Sequence, residues 1–202
     1  MKPFIIKEGI VQNALILQRR FNNLEHGELK PVAGIVLHQT SRDSADETLL
    51  LYRRSANGAH FLISQEGIIY QTARVNRVCY HVGFLAPRCK AENTCSPNYL
   101  AAIDRIFASD MAKEDKLMLQ HQLEKAKKPQ ARYPDNTETI GIEVSGAPIG
   151  RVYQRATAAQ DIASTWLVAQ LMQAFNLTRN DVYRHGVIGA GKIDTEAMHV
   201  RY

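Results

Sequence analysis

The segment Val32 to His38 constrains the fold more than any other part of this chain. Pro31 ends whatever precedes it, and Val32-Ala33-Gly34-Ile35-Val36-Leu37 then runs without a polar side chain. A run of that length, rich in β-branched residues and without alternation, reads as a strand covered on both faces. Such a strand sits inside a sheet with helices packed on it, so the rest of the chain must supply both further strands and helices. The run stops at His38, which places an imidazole at the end of a buried strand.

The expected companions are present. Thr139-Ile140-Gly141-Ile142-Glu143-Val144 reads as a second buried strand. Ala59 to Ser64 and Ile68 to Gln71 flank the turn Gln65-Glu66-Gly67, a hairpin signature. Val78 to Gly83 reads as a further strand or strand end, and Val182-Tyr183 as another. Residues 9 to 24 have helix-compatible apolar spacing, and Ser44 or Asp46 is a fair N-cap for a short helix to about Arg54. Residues 157 to 175 form the strongest helix pattern, with Ile162, Trp166, Val168, Ala169 and Met172 at helical spacing. Between about 86 and 137, Pro87, Pro97, Pro129 and Pro134 punctuate two helical stretches, Tyr99 to Ala108 and Ala112 to Lys127, which read as a helical insertion. A chain of 202 residues with 45% hydrophobic content makes one well-packed core. The expectation is a single α/β domain over 1–202: a central mixed β-sheet flanked by helices, with that insertion.

Several classes are excluded or disfavoured. No stretch approaches the roughly 18 apolar residues of a membrane span. The start, Met1 to Glu8, has no long apolar region, so no standard secretory signal is expected. Three cysteines are too few for a disulfide framework and have no metal-binding spacing. Cys89 and Cys95 lie close enough to bridge in an oxidising compartment; without a leader segment, free thiols are the expectation. The net charge of +5 favours polyanionic partners. Its basic residues are scattered, however, and lack interleaved aromatics, so nucleic acid is not an expected partner.

The chemistry gathers near the end of the chain. His185, Lys192 and Asp194 fall within ten residues, across a loop containing Gly186, Gly189 and Gly191 that can fold back on itself. Two imidazoles and a carboxylate (His38, His185, Asp194) make a common catalytic zinc set with one position left for water. Lys192 adds a positive charge where an oxyanion would form. Each residue alone has an ordinary reading: a structural strand-end histidine, a loop histidine, a capping aspartate, a solvated lysine. Glu143 is either an outward-facing strand residue or a carboxylate beside an apolar run, costly to bury without a partner.

The order of motifs resembles the zinc-dependent N-acetylmuramoyl-L-alanine amidases, the superfamily that also holds peptidoglycan recognition proteins. The pieces are His38 ending the first strand, A-H-F-L-I-S-Q-E-G-I-I-Y-Q (59–71), Y-H-V-G (80–83), I-G-I-E-V-S-G (140–146), then His185 and Lys192-Ile193-Asp194. The resemblance implies a zinc cleft along one edge of a mixed sheet, with His38, His185 and Asp194 as ligands. It implies Glu143 as general base and then acid, Lys192 as oxyanion partner, and cleavage of the amide between N-acetylmuramic acid and L-alanine in peptidoglycan. His60 and His81 either line the cleft and touch substrate or are ordinary strand histidines. Thr195-Glu196 stands where the family pattern continues Pro-Gly, which puts the shape of that turn in question. The setting suggested is an antibacterial effector, delivered by a contact-dependent secretion system of the type VI kind, or a lysin. An effector would act in the periplasm of a target cell and need an immunity protein in its producer. The alternatives are a cytoplasmic wall-recycling amidase and a non-catalytic recognition module.

Overall fold

The buried run after Pro31 is the centre of the sheet. In the computed structural model, which describes residues 4–202, the strands are β1 (Ile5–Lys7), β2 (Ile10–Gln12), β3 (Ile16–Gln18), β4 (Gly34–Gln39), β5 (Phe61–Ile63), β6 (Ile69–Gln71), β7 (Thr139–Val144), β8 (Pro148–Ile149), β9 (Val152–Tyr153) and β10 (Val182–Arg184). The helices are α1 (Ala45–Tyr52), α2 (Arg88–Ala91), α3 (Pro97–Ala108), α4 (Lys113–Lys125), α5 (Ala158–Phe175) and α6 (His185–Ile188). Six strands form one mixed sheet in the order β10-β4-β7-β5-β6-β3. β10, β4, β7 and β5 run parallel, β5 and β6 are antiparallel, and β6 is parallel to β3. All six residues of β4 are buried, as a strand paired on both edges and covered on both faces requires.

The two faces have different partners. Ile35 and Leu37 of β4, Ile140, Ile142 and Val144 of β7, and Phe61 and Ile63 of β5 share one cluster with Leu167, Val168 and Leu171 of α5. Each such side chain, taken fully out of water, contributes about 1.5–3 kcal/mol. The residues between them point to the other face, where Val36 packs with Val82, Leu85, Tyr133 and Ile188. His38 and Glu143 also belong to this second face and are register partners across the β4–β7 ladder.

α5 begins at a capping box, in which the Thr157 side chain accepts from Gln160 N–H and the Gln160 side chain accepts from Thr157 N–H. It ends at Asn176 with φ 53°, a left-handed cap. Its buried stripe is Ala163, Ser164, Leu167, Val168 and Leu171. Of the expected stripe, Val168 is buried and Trp166 and Met172 pack against the core, whereas Ala169 is exposed and Ile162 is 73% exposed. α1 starts at Ser44, whose hydroxyl accepts from Asp46 N–H.

Residues 9–24 are not the expected helix. They hold β2, β3 and a 3-10 turn over Asn22–Leu24. Glu8 and Gly9, both at positive φ, make a two-residue turn between β1 and β2, and β3 adds to the sheet beside β6. Ile10, Val11 and Ile16 suit a pleated surface as well as a helix, and tertiary pairing decides between them. Val78–Gly83 makes one isolated bridge, Tyr80 to Asn57, and not a strand. The stretch 86–137 carries α2, α3 and α4. Cys89 and Cys95, expected as free thiols, form a disulfide beside α2. No helix among the described residues is long and apolar enough to cross a membrane.

Candidate active site

β4, β7 and β10 are parallel, so their carboxyl ends lie along one edge of the sheet. His38 is the fifth residue of β4, Glu143 the fifth of β7, and His185 follows directly on β10. This is the edge where open parallel sheets place their ligands. A cleft of about 580 Å³ opens there, with His38, His81, Glu143, His185, Lys192 and Glu196 on its wall.

One ligand atom from each of His38, His185 and Glu196 lies within 4.8 Å of the others, and all three residues are buried. Asp194, the expected carboxylate ligand, is exposed and outside this group. The loop folds back as its glycines allow, but it presents the carboxylate two residues later. A Cβ on Gly186 would meet the Ile193 carbonyl oxygen at 2.7 Å, and one on Gly189 would meet the His185 ring at 2.9 Å. The returning backbone therefore presses directly on Gly186 and turns Asp194 outward. Ala197 takes φ 59°, a left-handed turn that L residues rarely adopt, and so aims Glu196 inward.

Hydrogen bonds fix the ring tautomers around this group. The Thr139 hydroxyl donates to the Asp135 carbonyl at 2.8 Å, so toward His81 Nε2, 3.3 Å away, it accepts. His81 then holds its proton on Nε2, and its Nδ1 accepts from His38 Nε2 at 3.0 Å. That leaves the His38 Nδ1 lone pair facing Glu196 Oε1 at 3.6 Å. On the other side His185 Nε2 donates to the Val82 carbonyl at 2.7 Å, and its Nδ1 faces Glu196 Oε1 at 2.8 Å. Two imidazoles thus turn one ring nitrogen each toward one carboxylate oxygen, an arrangement that suits a shared cation. Anchoring the second ring nitrogen on a backbone carbonyl or another ring is how metal-ligating histidines are held.

Charge states agree with that reading. Burial, with the neighbouring His185, pushes His38 down to about 4, so its ring is neutral at neutral pH. Burial works against ionisation of Glu196, yet its contacts with His185 and His38 outweigh it and hold the carboxyl at about 2. A neutral His38 nitrogen and an ionised Glu196 oxygen are in the forms that bind a metal. The donor set fits a divalent ion with nitrogen and oxygen ligands.

Glu143 stands beside this group. Burial, reinforced by Glu196 and opposed by Lys192, raises its carboxyl to about 8. Its Oε2 is shielded from solvent and has no hydrogen-bond partner among the described residues. Lys192 is exposed on the cleft wall. His81 lines the cleft, its ring resting against Gly141, where a Cβ would approach it to 2.8 Å. His60, the other expected substrate contact, is fully buried and outside the cleft lining. Its Nδ1 accepts from Gly141 N–H at 3.0 Å and its Nε2 donates to the Arg77 carbonyl at 2.8 Å, so both nitrogens serve the fold.

The sequence reading missed Glu196 and its supports. Gln39 Oε1 accepts from Ala197 N–H at 3.1 Å, and Arg184 Nε donates to the Ala197 carbonyl at 3.0 Å. Asn136 Oδ1 accepts from both His81 and Val82 N–H, fixing the ring and the carbonyl that holds His185. The one available signal was the lost Pro-Gly after Asp194, which marks a different turn.

No curated protein matches the chain. Solved structures do. A selenomethionine AmpD derivative aligns with a TM-score of 0.55 at 15% identity, covering 93% of this chain and 89% of that one. PlyL aligns at 0.53 and 13% identity, covering 88% and 84%. A mutant endolysin from Bacillus subtilis aligns at 0.50 and 16% identity, covering 84% and 82%. At these identities the likeness speaks for the fold alone. The Amidase_2 model, described as N-acetylmuramoyl-L-alanine amidase, matches residues 28–197, and the chain belongs to that family.

Proposed function

We propose that this protein is a zinc-dependent hydrolase of the amide bond between N-acetylmuramic acid and L-alanine in peptidoglycan. The observation that carries the reading is the convergence of ring nitrogens of His38 and His185 on a Glu196 oxygen, with Glu143 and Lys192 on the same cleft wall. His38, His185 and Glu196 would hold the zinc, which supplies Lewis-acid polarisation of the amide carbonyl and of the attacking water when bound. Glu143 takes the proton of that water as it attacks. A carboxyl held near 8 is close to the working pH, where proton transfer in both directions is efficient. Lys192 faces the oxygen that gains charge as the carbonyl becomes tetrahedral. Glu143 then gives its proton to the L-alanine nitrogen as the C–N bond breaks, and the stem peptide leaves the glycan.

The reading extends to the compartment. The Cys89–Cys95 disulfide favours work in an oxidising space, which supports action on the wall from the periplasm of a target cell, as an antibacterial effector or lysin, over recycling in the cytoplasm. An effector would have an immunity protein in the producing cell. Expression directed to the periplasm should then lyse cells, and cytoplasmic expression should not.

The direct test is digestion of peptidoglycan sacculi by wild type, chelator-treated protein and Glu143→Gln, with mass spectrometry of the products. Stem peptides beginning at L-alanine, lost in both controls, are the expected result. Cleavage that survives chelation, or no cleavage of sacculi and soluble muropeptides alike, would overturn it.

A further inference from the structure

Edge strand β10 carries a second cleft. Arg184 stands in register with Leu37 on the α5 face, whereas His38 points to the opposite face. The cleft beside Arg184 measures about 540 Å³ and shares no lining residue with the catalytic one. Arg155, Arg179, Arg184 and Arg201 line it with His199 and Tyr202, and no carboxylate side chain does.

Two of the arginines are engaged. Arg184 donates to the Ala197 carbonyl and lies 5.1 Å from the centre of the Tyr202 ring. Arg201 approaches Asp161 at 3.7 Å with its side chain 84% exposed, a loose pair worth little. The side chains of Arg155 and Arg179 have neither a hydrogen bond nor an ion pair among the described residues. Four guanidinium groups around one depression repel one another and lower the cost of bringing in negative charge. Their planar forks match phosphate and carboxylate oxygens two at a time, which a set of lysines would not do. A cleft of this size, ringed by several forks, suits a ligand with more than one anionic group.

We propose that this cleft binds multiply charged phosphate or carboxylate groups borne on a wall polymer, and so tethers the protein while the other cleft acts. Naming the wall as carrier rests on the function proposed above; the anion site itself does not. The polymer would reach it from the α5 side of the sheet, leaving the catalytic edge open.

The test uses Arg155→Ala/Arg179→Ala, which leaves Arg184 and its hold on Ala197 in place. Pyrophosphate is the soluble probe, read by calorimetry. Walls are used intact or stripped with hydrofluoric acid, which removes phosphodiester polymers and leaves stem carboxylates. Wild type should bind pyrophosphate with affinity that falls with salt, and the double variant should bind at least tenfold more weakly. Turnover of a soluble muropeptide should be the same in both. A wall-binding difference that disappears on stripping assigns the phosphate source, and one that persists assigns the carboxylates. Equal binding of pyrophosphate and of both walls by wild type and variant would overturn the proposal. Loss of pyrophosphate binding in the variant, with a wild type that cleaves no muropeptide, would keep the anion site and remove the wall hydrolase.

Discussion

A carboxyl group whose oxygen is shielded and unpartnered keeps its proton to higher pH, and Glu143 keeps it to about 8. Its pKa is raised on folding, so its contribution to stability is fully present below about 4.5 and is lost as pH rises through about 8. The loss amounts to about 5 kcal/mol at most. Metal-free wild type should therefore lose urea midpoint relative to Glu143→Gln between pH 5 and pH 8, against the rise that both proteins share as buried rings such as His38 and His60 shed protons. Parallel profiles for the two proteins would mean that the carboxylate ionises freely in the fold. Glu196 and Asp194 allow a sharper comparison, because they lie two residues apart and only Glu196 reaches the histidines. Glu196→Gln should lower zinc affinity by at least about tenfold, as loss of an ionised ligand demands, and Asp194→Asn should leave it within about threefold. Zinc retained after dialysis, measured by mass spectrometry, separates them. Zinc lost from Asp194→Asn and kept by Glu196→Gln would return the ligand to the position first expected.

The difference between those two carboxylates is made by an element, the turn at Ala197. A left-handed alanine costs about 1–2 kcal/mol, and the turn persists because both backbone groups of Ala197 are held, one by Gln39 of β4 and one by Arg184 of β10. Gln39 Nε2 also donates to the Gln154 carbonyl at 2.9 Å, so one side chain ties β4 to two loops. Gln39→Ala should destabilise the protein by about 1–3 kcal/mol through the unsatisfied Ala197 N–H. It should also weaken zinc binding about tenfold, which a purely structural loss elsewhere would not do. Calorimetric melts with and without zinc measure both; an unchanged zinc-induced shift in Tm would deny Gln39 its positioning role. This turn also explains where the sequence stopped being legible. β4, β7, the β5–β6 hairpin and α5 are long or punctuated enough for hydrophobic period and turn residues to name them. The strands β1 to β3 have three residues each, too few for a period, and their pairing comes from the Glu8-Gly9 turn and from contact with β6. His38, His185 and Glu143 were legible as chemistry because strand ends carry them, and Lys192 because it sits in the glycine-bearing loop after His185. Glu196 was not, because a left-handed alanine leaves no mark in residue type.

Across the whole molecule, the stretch 86–137 acts on the site through the loops it holds. Gln120 of α4 donates to the Leu85 carbonyl at 3.1 Å, and His121 Nδ1 accepts from Leu85 N–H at 3.0 Å. The 84–86 loop in turn pairs with 188–190 through Ala86 N–H to the Ile188 carbonyl and Ala190 N–H to the Phe84 carbonyl, both 2.7 Å. At the end of the stretch, Asp135 gathers α4 and β7: its carboxylate pairs with Lys125 at 3.0 Å, and its carbonyl accepts from the Thr139 hydroxyl that orients His81. Burial opposes ionisation of Asp135, but the Thr137 hydroxyl and N–H, with Lys125, outweigh it and hold the carboxyl at about 2. Its pKa is lowered on folding, so the stability it contributes is present above about 3.8 and is lost as pH falls through about 2. The shift corresponds to about 2 kcal/mol. Asp135→Asn keeps an acceptor for Thr137 and loses the charge facing Lys125. It should be about 2 kcal/mol less stable than wild type at pH 7 by urea unfolding, and the gap should narrow steadily between pH 4.5 and pH 2.5. A gap that stays constant over that window would show that the loss comes from packing and not from charge. The carbonyl that receives the Thr139 hydroxyl is main chain and survives in the variant, so the imidazole proton shifts of His81 and His38 should stay as in wild type at pH 7.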